Sequence, residues 1–276
     1  MQSQSLKVWV IRHGTTLLNK LEKEFKMNGK IFDKFDLDGL LDCPISEDGV
    51  KQSISLQDEI NKLDLKYVFV SPLRRALQTS YYLLQKYPKK SRLQIYVHPL
   101  LREVLHNAND IPCDFLNEVV PLYEKYSSEG LNYNFNEYFN GYKSKRIYFA
   151  YDLQTNASKE LLEELANEKN LSYNDILKIV VNFIKKYDRD SERIPVESLA
   201  NVRSRGEKFV SFLQNFINEK KILPENVLVV SHANLLSSLF MDQIYEHLVE
   251  SKMCIPNAKL VQLDIANFKS LLPKEK

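Results

Sequence analysis

The sequence predicts an α/β fold: a mainly parallel central sheet flanked by helices on both faces. Three observations carry this. Four short apolar runs rich in β-branched and aromatic residues recur along the chain. Between them lie amphipathic stretches that open on helix-start signals. Strands alternating with helices in this way form parallel sheets through helical crossovers. At 276 residues and 44% hydrophobic, the chain has the material for one domain over 1–276 with a full core.

The expected strands are "LKVWVI" (Leu6 to Ile11), "KYVFVS" (Lys66 to Ser71), "LQIYVH" (Leu93 to His98) and "NVLVVS" (Asn226 to Ser231). Pro44-Ile45-Ser46 reads as a helix start with Ser46 as N-cap, running to about Leu63 with Val50, Ile54, Ile60 and Leu63 on related faces. Ser71-Pro72 reads as a second start, Ser71 capping and Pro72 at the first helical position. A third long helix is expected from Glu197 to about Lys220. Residues 104–196 break the alternation and read as an inserted cap subdomain. They are aromatic-rich around "YNFNEYFNGYKSKRIYFAY", then helical in "LSYNDILKIVVNFIKKYD" with Ser172 as N-cap. Their apolar content argues for packing and against a flexible linker.

Composition excludes several classes. Lys plus Arg (38) against Asp plus Glu (36) leaves +2, too balanced for a nucleic-acid footprint or a membrane-surface patch. Cys43, Cys113 and Cys254 lack the short spacings of zinc or redox motifs and read as reduced thiols. The first apolar run meets charge at Lys7 and Arg12, too early for a signal peptide, and no other run approaches a membrane span. The expected location is the cytoplasm, with no membrane or nucleic-acid partner.

Every expected strand ends, at its carboxyl side, in groups suited to a phosphate: Arg12-His13-Gly14, "SPLRRA", "PLLRE" and Ser231-His232. Ligands of open α/β sheets bind outside the carboxyl ends of the strands, so these tips should converge. Arginine's planar fork matches phosphate oxygens bidentately, and the helix expected at Pro72 adds N–H groups and a positive dipole end. Two histidines can divide nucleophilic attack on phosphorus from donation to its oxygens. Glu103 suits protonation of a leaving alcohol oxygen, with Asp110 and Asp114 as other acids nearby in sequence. Gly14 lets the backbone beside His13 approach a ligand closely.

In order, the segments "RHGTTLLN", "DCPISEDGVKQ", "VSPLRRALQT", "LLRE", "ESLANVRSR" and "VVSHANLL" resemble the histidine phosphatase superfamily, in its phosphoglycerate mutase-like branch with the RHG motif. That group includes cofactor-dependent phosphoglycerate mutase and the bisphosphatase half of fructose-2,6-bisphosphate enzymes. The resemblance implies a phosphoglycerate mutase-like fold and His13 as a nucleophile that transiently carries the phosphoryl group. It further implies Arg12, Asn19 and Arg75 as phosphate ligands, His232 completing the pocket, and Glu103 as proton donor and later base for water. No metal or cofactor is implied, because two arginines and a protonated histidine would supply the positive field.

The sequence departs from the family at Ala233, where glycine is common after the second histidine, and in a long segment from Lys20 to Leu41. After Glu103, "VLHNANDIPCD" lacks the "RHYG" and basic pattern that mutases use to hold a second phosphate. The expected function is therefore a metal-independent phosphomonoester hydrolase acting on a small phosphorylated substrate or a phosphoprotein. A mutase-like phosphotransferase and a non-catalytic phospholigand-binding protein are the alternatives. His98, His106 and His247 carry no motif and no assigned role, and "KYPKK" and the carboxyl tail read as solvated surface.

Overall fold

Strands β1 (Lys7–Arg12), β2 (Tyr67–Val70), β3 (Gln94–Val97), β4 (Tyr133–Asn134), β5 (Val227–Ser231) and β6 (Leu260–Asp264) form one sheet in the order β4-β3-β2-β5-β1-β6. The computed structural model describes residues 6–28, 40–105, 107–135, 139, 141–144, 146–151, 156–189, 197–240 and 255–266. All strand pairs are parallel except β1 with β6. All four strands expected from sequence are present, shifted by a residue or two at their ends. The edge strands β4 and β6 were not foreseen.

The strands read as near-continuous apolar runs because both faces of the sheet are covered. Ile11, Val68, Val70, Ile95, Val97, Leu228 and Val230 point into one buried cluster, and Val8, Val10, Phe69, Tyr96, Val227 and Val229 into the other. The first cluster takes Ala76, Leu77, Tyr81, Leu83 and Leu84 from helix α4 (Arg74–Leu84). The second takes Phe209, Val210 and Leu213 from helix α9 (Leu199–Lys220), with Leu235, Leu236 and Leu239 from α10 (Ala233–Phe240).

Helix α1 (Leu17–Met27) occupies part of the segment read as a loop from Lys20 to Leu41, and residues 29–39 lie outside the described residues. Ser46 does cap its helix, accepting from the Gly49 N–H, but the helix expected to reach Leu63 divides into α2 (Glu47–Ser55) and α3 (Gln57–Ile60). The Ser53 and Ser55 hydroxyls donate back to the carbonyls of Gly49 and Gln52. Such back-bonding bends helices. Ile54, expected on the apolar face, is exposed. Helix α9 follows expectation, with Ser198 capping it through the Asn201 N–H and Lys221 closing it in the left-handed conformation (φ 51°).

Within 104–196 lie α5 (Val120–Ser128), β4, α6 (Tyr148–Tyr151), α7 (Asn156–Glu164) and α8 (Tyr173–Arg189). Ser172 caps α8 through the Asp175 N–H, as its sequence suggested. Tyr133, Phe139, Tyr148, Phe149, Leu161, Val180 and Ile184 pack in the same buried cluster as the first face of the sheet, and β4 pairs with β3. Tyr133, Phe135, Phe139, Tyr148 and Phe149 are thus core residues. His106, His247, Cys254 and the carboxyl tail from 267 lie outside the described residues.

Among the described residues, no helix is long and apolar enough to cross a membrane.

Candidate active site

The carboxyl ends of β1, β2, β3 and β5 meet, as parallel strands in adjacent register must. β1 pairs with β5 through Arg12 opposite Ser231, and β2 with β5 through Val70 opposite Val230. His13 and His232, each one residue beyond its strand, therefore face each other with ring centroids 5.1 Å apart. Both are buried.

The His13 tautomer follows from its neighbour. Nδ1 lies 2.8 Å from the Gly14 carbonyl, which only accepts, so Nδ1 carries the hydrogen and Nε2 presents its lone pair. Burial, then Arg75 and Arg12, push the His13 pKa well below the ordinary imidazole value, so the ring is neutral near pH 7.

His232 Nδ1 accepts from Arg75 Nε at 3.2 Å, so Nε2 carries hydrogen and donates to Ser71 Oγ at 2.7 Å. Burial, Arg75 and His13 lower its pKa well below ordinary. The protonated histidine expected from sequence is thus a neutral one. An arginine N–H aimed at a ring nitrogen leaves no place there for a second proton.

The same hydroxyl explains a second correction. Ser71 does not cap α4, and Pro72 is not its first residue: the helix begins at Arg74 with Leu73 at the N-cap, and Ser71 Oγ accepts from the Leu73 N–H. The Arg74 N–H goes to Asp42 Oδ1 at 2.9 Å. The free helix N-terminus expected beside the ligand is capped from another loop.

Arg75, 1% exposed, is clamped by its surroundings. One terminal nitrogen donates to the Asn109 carbonyl (2.7 Å), the other to Asp110 Oδ1 (3.0 Å), and Asp42 Oδ1 is 3.9 Å away. Asp42 sits in the left-handed region (φ 38°), which Asp tolerates better than most residues. Its other oxygen accepts from the Cys113 N–H. Burial pushes the Asp110 carboxyl up to about 7 despite the opposing pull of Arg75, and Glu103 pushes the same way. Arg74 turns from the pocket to Glu118 at 3.2 Å and to the carbonyls of Leu41 and Asp42.

Arg12 is partly buried, with one terminal nitrogen donating to the Ile255 carbonyl at 3.0 Å. The segment before β6 holds this strand tip again through Ala258 N–H to the Arg12 carbonyl and Asn257 Nδ2 to the His13 carbonyl.

Glu103 is buried, its Oε1 accepting from the Val104 N–H (2.9 Å) and its Oε2 from the Asn234 N–H (3.2 Å) in the first turn of α10. Behind it, Glu197 binds both terminal nitrogens of Arg102 (2.6 and 2.9 Å), Arg205 Nε (3.1 Å) and the Leu105 N–H (2.9 Å). Both arginines also donate to the Glu103 carbonyl.

Arg12, His13, Arg75, Glu103 and His232 are thus brought together. Asn19 is placed differently: its Oδ1 accepts from the Thr16 N–H while Thr16 Oγ1 accepts from the Asn19 N–H, a reciprocal cap on α1. Asp114 accepts from the Asn117 backbone and side chain in an exposed turn. Among the described residues, no three His, Cys, Asp or Glu side chains gather as a metal-ligand group.

Residues 8–109 match the family model described as histidine phosphatase superfamily, branch 1. Over those residues the chain is similar to that superfamily. It is 26% identical over 274 residues to a 2,3-bisphosphoglycerate-dependent phosphoglycerate mutase of Chlamydia pneumoniae, covering 94% of each chain. Similar solved structures include a mycobacterial glucosyl-3-phosphoglycerate phosphatase (16% identity, TM-score 0.46, 93% of this chain and 90% of that one). Another is a phosphoserine phosphatase of Entamoeba histolytica bound to 3-phosphoglyceric acid (17% identity, TM-score 0.42, 93% and 89%). The segments that resemble the superfamily contain His13, Arg75, Glu103 and His232, and also Ser71, Thr79 and Asp42, whose contacts at the site their pattern did not announce; Asn109 lies outside those segments. Thr79 Oγ1 accepts from the Gly14 N–H and donates to the Arg75 carbonyl, coupling the β1 tip to α4.

Proposed function

We propose that the protein is a metal-independent phosphomonoester hydrolase working through a phosphohistidine on His13. One observation carries this: a buried, neutral imidazole presents Nε2 beside two arginines. In the first step Nε2 attacks phosphorus, the N–P bond forms and the P–O ester bond breaks, and Glu103 passes its proton to the departing alkoxide. In the second, Glu103 takes a proton from water, whose oxygen attacks phosphorus as the N–P bond breaks. Arg12 and Arg75 hold the non-bridging oxygens, and His232 orients Arg75 while its own Nε2–H is held on Ser71. Asn19 contributes through Nδ2, since its Oδ1 closes α1. We read residues 104–196 as the cap that sets the substrate, a small phosphorylated molecule or a phosphoprotein, and the buried thiols of Cys43 and Cys113 favour a cytoplasmic setting.

The similarity to a phosphoglycerate mutase favours phosphotransfer as a second reading. Against it, Arg102 and Arg205 near Glu103 are bound to Glu197, and the following segment presents Asn107, Asn109 and Asp110 where a second phosphate would need cations.

Phosphate release from a panel of phosphomonoesters, with chelator present, tests the proposal. Release abolished by His13→Ala supports the hydrolase. Release that survives His13→Ala overturns it, and exchange that needs a bisphosphate primer with little net release establishes the mutase reading. Tight ester binding without turnover would mark a binding protein.

A further inference from the structure

Arg75 faces the pocket with its fork already engaged. Nε is on His232, one terminal nitrogen on the Asn109 carbonyl, and the other on Asp110 Oδ1 at 3.0 Å, with Arg75 and Asp110 only 1% and 5% exposed. Sequence reading held Asp110 as another acid near Glu103; the structure gives it a different task. A phosphate dianion that reaches Arg75 arrives next to a carboxylate already on the same guanidinium. Arg75 then answers to Asp110, to the dianion and, at 3.9 Å, to Asp42, which Arg74 also faces. Neutral His13 and His232 do nothing to offset that excess.

We propose that Asp110 is a proton-linked latch on Arg75: ionised, it holds the guanidinium for itself, and a dianion binds Arg75 together with uptake of a proton by Asp110. The inference rests on the reading of this pocket as a phosphoester site. The groups facing Asp110 are Arg75 from α4, Asp42 from the loop before α2, Glu103 and the Asn107 N–H from its own segment, and the two histidines behind Arg75. Arg75 and the Asn107 N–H favour the carboxylate, while burial and Glu103 favour the acid. That balance lies close to neutrality, so a dianion nearby is enough to tip it. Asp110 is accordingly a positioning residue that sets when Arg75 is available.

The test uses inorganic sulfate, a dianion that does not itself titrate over the range examined, bound to the full chain between pH 6 and 8.5. Calorimetry in two buffers of different ionisation enthalpy counts the proton taken up. For the wild type, affinity is expected to fall with rising pH, approaching about tenfold per pH unit for one linked proton. Proton uptake should accompany binding above pH 7. In Asp110→Asn, whose fold is checked by its melting transition, the uptake should disappear and sulfate should bind at least about tenfold tighter than to wild type at pH 8.5. Sulfate binding by the wild type with no proton uptake overturns the latch without needing the variant. So does uptake that persists undiminished in Asp110→Asn. Failure of the wild type to bind sulfate at all overturns instead the phosphoester reading, and the latch with it.

Discussion

Replacing Glu197 with alanine should both destabilise the protein and disable its site. The carboxylate is 2% exposed and accepts four hydrogen bonds: two from Arg102, one from Arg205 and one from the Leu105 N–H. Burial alone would raise its pKa, but Arg102 and Arg205 together outweigh burial and hold it below the ordinary range. Removing one partner of such a network leaves buried charge uncompensated, here two guanidinium groups, at a cost of about 3–5 kcal/mol. For a chain of this size that corresponds to a fall in melting temperature of roughly 6–20 °C. The same arginines hold the Glu103 carbonyl, so Glu103 should shift, and a displacement of about 1 Å is worth about 100-fold in kcat with little change in KM. Glu197→Gln, which keeps one acceptor oxygen, should recover part of both losses. Because the folded pKa is depressed, the stabilisation is present above the usual glutamate range and is lost as pH falls through the folded value. Urea unfolding and phosphate-release kinetics on the two variants decide the matter. A loss under about 1 kcal/mol for Glu197→Ala, with kcat intact, would refute the reasoning.

Other outcomes are expected on the same grounds. In Gly14→Ala the new Cβ would lie 2.7 Å from the Gly49 carbonyl oxygen, a backbone atom that cannot swing aside, so about 1–3 kcal/mol should be lost in urea unfolding. An unchanged midpoint would show that the two loops separate easily. Thr79→Val removes the hydroxyl between the Gly14 N–H and the Arg75 carbonyl, and the orphaned N–H should cost about 1–3 kcal/mol. His13, His232 and His98 all have depressed folded pKa values, that of His98 at about 3, because burial disfavours the imidazolium. Their contribution to stability is full above the unfolded histidine value and declines as pH falls below about 6.5. Denaturation midpoints that stay level from pH 7 to 4.5 would contradict it.

The sheet was legible because its strands are apolar on both faces, and Val68, Phe69 and Val70 alternate between two buried clusters. β6 escaped notice because its residues are mostly half-buried, so no clear run forms. β4 contributes only Tyr133 and Asn134 and takes its place from its neighbours. At the site, residues whose chemistry is carried by their own type, such as Arg12, His13, Arg75 and His232, could be read directly. Residues that act by holding others could not: Asp42 serves Arg74 and Cys113 from 30 or more positions away. Ser71 shows the reverse error: it was read as a cap and instead meets His232, because a small polar side chain can cap or contact and local pattern does not choose between them.

The first strand has an unusual place in the order of synthesis. Its two neighbours in the sheet are β5 and β6, with Trp9 opposite Leu228 on one side and Gln262 on the other. β1 therefore leaves the ribosome well before either flanking strand, while β2 and β3 can pair as soon as they emerge. Contacts so distant in sequence form late, because the loop that joins them must first be closed. Arg12 ends that strand and His13 follows it. The nascent chain thus carries Arg12 and His13 long before β5 and β6 close around them, so chains cut short before β5 should fold in part yet lack the pocket.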